Sequence, residues 1–140
     1  MTQTVLLPID LAVPATWDKS LPRALNLADG GTLHVITVIP NFGMSMVGSY
    51  FDEGFIKQAL HDVGAQLGDW IRANIPDAQD VHPHVTHGRI YDEIIRAASK
   101  LDVDVIVLGA PRTDLAEYLL GPNAARVVRH APQSVFVVRG

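Results

Sequence analysis

The sequence predicts an α/β domain: a single doubly wound, five-stranded parallel sheet with helices on both faces. Three observations carry this. Short apolar runs rich in β-branched residues alternate with amphipathic helical stretches from one end of the chain to the other. The first connection, about two dozen residues between the first two runs, is long enough for a parallel crossover and far too long for a hairpin. Finally, 140 residues with 48% hydrophobic content and no Cys describe one domain, 1–140, that needs no disulfide or thiolate metal site to fold.

Thr4 to Ile9 (TVLLPI) is the first buried strand, ending at Asp10, and Thr32 to Ile39 (TLHVITVI) is the second, closed by Pro40 and Asn41. Between them Leu21, Ala24, Leu25, Leu27 and Ala28 mark a helical stripe stopped by Gly30 and Gly31. NFGMSMVGSYFDEG, with three Gly and two Met, reads as a mobile surface loop. From Phe55 to Ile75 the residues Phe55, Ala59, Leu60, Val63, Leu67, Trp70 and Ile71 keep a helical period that Pro76 and Asp77 end. This amphipathic helix is expected to pack on the core rather than to bind a partner. Val81 to Thr86 is a third, weaker strand. Ile90 to Leu101 is a helix leading directly into Val103 to Leu108, the most apolar strand, which Gly109 is expected to end. A short helix from about Asn123 to His130 and a last strand, Ser134 to Arg139, complete the chain.

In sheets of this kind ligands bind at the carboxyl ends of the strands, where the strand order reverses. Asp10, Pro40 and Gly109 should therefore share one edge of the molecule. Composition narrows the ligand. With 11 Lys and Arg against 15 Asp and Glu, a net charge of -4 and a pI near 5.8, the chain lacks the clustered basic surface that nucleic-acid binding needs. No apolar run approaches the roughly 20 residues of a membrane span, and MTQTVLLPID does not resemble a signal peptide. Cysteine absence excludes thiol catalysis and agrees with the cytoplasm as the expected location.

From end to end the chain resembles the universal stress protein family. The residues that carry the likeness are VLLPID in the first strand, HVITVIP in the second, DVIVLGA in the fourth, and LLGPNAARVVRHAPQSVFVVR to the C-terminus. The stretch from Asp104 to Arg139 is the most specific, because the family joins its fourth strand to its last helix with Gly-x-x-Gly, nine residues, then Gly-Ser/Thr. The resemblance implies an adenine nucleotide alpha hydrolase-like fold that binds ATP or AMP, with Mg2+ where a triphosphate is held, and forms a homodimer acting on a protein partner in stress or growth arrest. The signature departs in two places. Gly109 matches the first Gly, but Ala110-Pro111-Arg112 supplies no second one and the segment to Gly121 is one residue short. Pro122-Asn123 then stands where the family places Ser or Thr after the last Gly.

The stretch from Gly109 to Asn123 is the first candidate site, since a glycine-punctuated loop leading into a helix N-terminus offers free amides and a positive dipole end to a phosphate. Gly121-Pro122 is equally a sound helix start, because Pro in the first turn forfeits little. Pro also lacks the hydroxyl and N–H with which Ser would donate to phosphate. The Asn123 and Ala124 amides and the Arg112 guanidinium are possible replacements. By the resemblance, Asp10 lies beside the nucleotide's ribose and phosphates, and Pro8, Ile9 and Val38 line the adenine pocket. The alternatives are a turn-capping role for Asp10 and a plain core role for the others.

His82 and His84, two apart on a strand, should point to one face, but zinc needs three or four ligands and no carboxylate is tied to that face by spacing. Exposed histidines on a half-polar strand are the expectation, and His34, His61, His87 and His130 form no usable spacing. No GxSxG, HExxH or GxxxxGK[ST] motif is present. Catalysis is not expected beyond slow ATP hydrolysis through a water activated by Asp10. Ser134, Val135, Phe136, Val137 and Val138 carry the dimer expectation: an apolar last strand at an open sheet edge pairs naturally with its twofold mate. The rival reading of the chain is a dimeric interaction module of the same fold that has lost its nucleotide.

Overall fold

The computed structural model describes residues 2–40, 53–110 and 122–139. Five strands form one fully parallel sheet: β1 (Thr4–Pro8), β2 (Thr32–Pro40), β3 (Asp80–Gly88), β4 (Val105–Ala110) and β5 (Ser134–Arg139). Four helices alternate with them: α1 (Ser20–Leu27), α2 (Glu53–Asn74), α3 (Ile90–Lys100) and α4 (Pro122–His130). A single 3-10 turn, Pro14–Thr16, precedes α1. The spatial order is β3-β2-β1-β4-β5. The chain thus winds outward from β1 to β3 on one side, then restarts at β4 and winds outward on the other.

Alternation along the strands explains the two cores. In β1, Val5, Leu6 and Leu7 are all fully buried, because the strand is central and covered on both faces. Val5 and Leu7 join Leu33, Val35, Val105 and Val107 beneath α1 and α2, where Leu21, Ala24, Leu67 and Trp70 pack. Leu6 points the other way, to Ile36, Ile106 and Leu108 beneath α3 and α4, which supply Ile94, Ala98 and Val127. Each fully buried aliphatic side chain contributes about 1.5–3 kcal/mol relative to exposure, so these two layers provide the main drive to fold.

The ends of the helices follow their residues. Pro22 sits in the first turn of α1, where its missing N–H has no intrahelical acceptor to forfeit. Gly30 takes a φ of 76° just past α1, and Gly31 N–H then donates to Ala28 O at 2.7 Å. Asp102, at a φ of 53°, makes the corresponding tight turn between α3 and β4. Among the described residues no helix is long and apolar enough to cross a membrane.

Two strands differ from expectation. Gly109 does not end β4 but lies inside it, paired with Val138, and the strand continues to Ala110. The third strand is not short or weak: all nine of its residues register with β2, from Thr32↔Asp80 to Pro40↔Gly88. Its polar sequence reflects position, since β3 is an outermost strand. Most of the loop expected at 41–54 lies outside the described residues.

Candidate functional site

The strand order reverses between β1 and β4, and there the two strands part. β1 registers with β2 over five residue pairs but with β4 over only two, Val5↔Val105 and Leu6↔Ile106. Beyond that point the two strands no longer register, and their ends lie at the carboxyl edge of the sheet, where such folds place a ligand crevice. Pro8, Ile9 and Asp10 stand at the end of β1, Gly109 and Ala110 at the end of β4, and the start of α4 at Pro122 and Asn123 follows β4 in the chain. Asp10 just past β1, Pro40 at the end of β2 and Gly109 next to the end of β4 accordingly lie on one edge, as the alternating pattern implied.

The turn after β1 is built around Thr16, which is 1% exposed. The Asp10 N–H donates to Thr16 Oγ1 at 3.0 Å, and that hydroxyl donates to Val13 O at 2.7 Å. One residue group thereby closes the turn from both ends. Ser20 Oγ, fully buried, donates to Thr16 O at 3.0 Å. The same carbonyl lies so close to β4 that a Cβ on Gly109 would stand 2.3 Å from it. Gly109 is therefore required by packing: only a residue without a side chain lets the 3-10 turn rest on the end of β4.

The Asp10 carboxylate accepts the Ala12 N–H at 3.0 Å through Oδ1, the turn-capping arrangement. This leaves Oδ2 as the oxygen with which Asp10 can meet a ligand hydroxyl or cation. Ile9 is 2% exposed, and its N–H donates to Ile36 O at 2.9 Å, so its side chain is core. Val38 is half-buried and packs on the cluster beneath α3 and α4 together with Ala110. Arg112 and Gly121 lie outside the described residues. Pro122 is the first residue of α4, so the helix begins without an N–H at that position.

Charge at this edge comes partly from residues that spacing did not single out. Tyr91, at the start of α3, receives Arg89 Nη1 at 3.3 Å and Arg126 Nη1 at 3.4 Å on its hydroxyl. The Arg126 guanidinium also lies over the Tyr91 ring, 4.9 Å from its centroid. Arg89, just before α3, and Arg126, on α4, are 37 positions apart, so no local motif announces them. Glu93 is the second such group: it is 8% exposed, paired with Arg96 at 2.8 Å, and a Cβ on Gly88 would stand 3.0 Å from its carboxylate. Among the described residues no three His, Asp or Glu side chains are arranged to hold a metal ion.

The model of the universal stress protein family matches residues 1–139. The chain belongs to the universal stress protein family. Universal stress protein G of Escherichia coli O157:H7 is 30% identical over 99% of this chain and 100% of its own length. Among solved structures, universal stress protein UspA from Lactobacillus plantarum superimposes with a TM-score of 0.71 at 19% identity, covering 98% of this chain and 97% of that one. A universal stress protein in complex with cAMP superimposes with a TM-score of 0.64 at 20% identity, covering 99% of this chain and 97% of that one. Five parallel strands with helices on both faces are thus the fold this chain shares with the family.

The glycine at 109 separates packing from ligand binding. Gly109→Ala should lower stability by about 1–3 kcal/mol in urea unfolding, because the added methyl meets a backbone carbonyl that cannot rotate away. Gly64→Ala, in α2 with nothing within 4 Å, should raise it by about 0.5–1 kcal/mol.

Proposed function

We propose that the crevice between the ends of β1 and β4 binds an adenine nucleotide, ATP or AMP, and that the occupied protein acts as a dimer on a protein partner. The observation that supports this most is the coincidence of the reversal point, bordered by Pro8, Asp10 and Gly109 with Val38 close by on β2, with membership of a family in which a structural neighbour is in complex with cAMP. The base would lie against the half-buried Val38 and the turn at Pro8–Ile9. The ribose would face the Asp10 carboxylate. Phosphates would lie toward the first turn of α4, where the amides of Asn123 and Ala124 follow Pro122 and the helix dipole favours negative charge. For a triphosphate, Mg2+ would offset the excess charge with Asp10 near it.

One observation favours the rival reading, a module without nucleotide. Pro122 removes one amide donor at the place where a phosphate would be held, and Asp10 already spends one oxygen on the Ala12 N–H. Calorimetry and thermal shift on protein stripped of small molecules distinguish the two. Nucleotide binding gives heat and a raised midpoint with ATP or AMP in magnesium, and Pro122→Ser should then tighten it by about tenfold, the value of one charge-assisted hydrogen bond. No response in the natural chain, with binding gained only in Pro122→Ser, establishes the rival.

Dimerisation is argued from β5. Among the described residues no strand lies beyond it, so its outer backbone edge would suit a twofold mate, and Phe136 is 39% exposed although large and apolar. Val135 and Val138 pack into the protomer's own cores, so Ser134, Phe136, Val137 and the backbone would carry the contact. Phe136→Asp should convert a dimer to a monomer in sedimentation velocity with unchanged circular dichroism. A wild-type chain that sediments as a monomer at tens of micromolar contradicts this part of the proposal.

A further inference from the structure

The fold gathers three histidines on its outermost strand pair. His34 on β2 registers with His82 on β3, and Ile36 with His84, so all three side chains rise from one face of the sheet. The His34 ring centroid lies 5.3 Å from that of His82 and 5.0 Å from that of His84. His34 Nδ1 is 2.8 Å from His84 Nε2. A hydrogen bond between two imidazoles needs one N–H and one lone pair, so one of these two nitrogens must be unprotonated. When both rings are imidazolium, both nitrogens carry hydrogen, and the bond becomes a contact between like charges.

The surroundings strengthen this dependence. Asp80 on β3 places Oδ1 3.0 Å from His82 Nε2 and accepts the Thr32 hydroxyl on Oδ2 at 3.0 Å. From α3, the helix over this face, Lys100 acts on His84 with a charge of the same sign as imidazolium. Glu93 and Arg96, toward the other end of α3, are paired with each other. α2 covers the opposite face, where Val81 and Val85 pack, so the sheet separates its charges from the cluster. Among the described residues no strand lies beyond β3 in the sheet.

We propose that the His34–His84 pair, with His82 beside it, is a proton-sensitive latch that fastens the edge strand β3 to β2 at neutral pH and releases it in mildly acidic solution. Because β3 is held by a sheet neighbour on one side only, the loss is local to it. The strand's last residues, Thr86 to Gly88, register with Val38 to Pro40 and lead through Arg89 into α3. Release of β3 therefore loosens the carboxyl edge of the sheet next to Val38.

The sign follows from the direction in which the rings are shifted. Burial first, then the neighbouring histidines, hold His34 below the ordinary histidine pKa; burial, His82 and Lys100 do the same to His84. Asp80 opposes this on His34, as the smallest of the influences. An unfolded chain with ordinary histidines takes up protons first as pH falls. The latch is at full strength above pH about 6.5 and weakens as pH falls through and below that value. Each ring can change the opening equilibrium by up to about tenfold per pH unit.

Amide hydrogen exchange at pH 7.5 and 5.5, corrected for intrinsic exchange, reads this directly in the full chain. Protection of β3 amides should fall at least about tenfold more than that of β4 amides in the wild type. In the double variant His34→Gln, His84→Gln, which keeps polar side chains but cannot titrate, the two strands should change together. A uniform loss across the sheet in the wild type, or a selective loss that persists in the double variant, overturns the proposal. A variant that does not fold leaves the decision to histidine-ring NMR titration of the wild type. His34 and His84 titrating below the ordinary histidine pKa, in step with β3 amide shifts, supports the latch; ordinary titration of both contradicts it.

Discussion

The contact on which the site depends is the approach of the Thr16 carbonyl to Gly109. β1 and β4 are neighbours, yet they pair over only two residues before parting. The 3-10 turn after β1 rests on the end of β4, held by the buried Thr16 and Ser20 hydroxyls, and this is possible only because position 109 has no side chain. Trp17, next in the chain, packs edge to face on Trp70 of α2 with ring centroids 5.3 Å apart, which ties the same turn to the helix layer. The arrangement of strand ends at the reversal point is thus a consequence of how one turn is seated.

What the crevice offers a ligand is set by a small number of polar groups. A chain with a net charge of -4 cannot attract a polyanion by its overall field, so under the proposed function recognition of a phosphate would have to come from local amides, the dipole of α4 and nearby guanidinium groups. Arg126, on α4 itself, is one turn beyond Pro122, and its side chain meets Tyr91 together with Arg89. Pro122 removes one donor from the end of that helix. The balance between these two features is what distinguishes this member from one with Ser at the same place, and the family relationship alone does not decide it.

Most of the fold was legible because both signals it rests on are local. Apolar β-branched runs and helical stripes marked the five strands and four helices to within a few residues, and the parallel order followed from their alternation. Where the reading failed, the cause was a tertiary contact. Gly109 looked like a strand terminus, since glycine commonly punctuates; its actual role, clearance for the Thr16 carbonyl 93 positions earlier in the chain, has no local trace. β3 looked weak because its face carries Asp80, His82 and His84, which are tolerated on an outermost strand. His34 and His84 are 50 positions apart, and only the β2–β3 register reveals them as a pair. Asp10 was correctly placed at the carboxyl edge, with the turn-capping bond to Ala12 that one of the two sequence readings anticipated.

The central claim is that the reversal-point crevice, and no other surface, receives an adenine nucleotide. Backbone amide NMR with stepwise addition of ATP or AMP in magnesium tests it most directly. The account predicts shifts concentrated at Ile9, Asp10, Val38, Gly109, Asn123 and Ala124, with Gly30, Gln79 and Asp104 at the opposite edge unchanged. Saturable shifts centred on that opposite edge, or none anywhere at millimolar nucleotide, would contradict it.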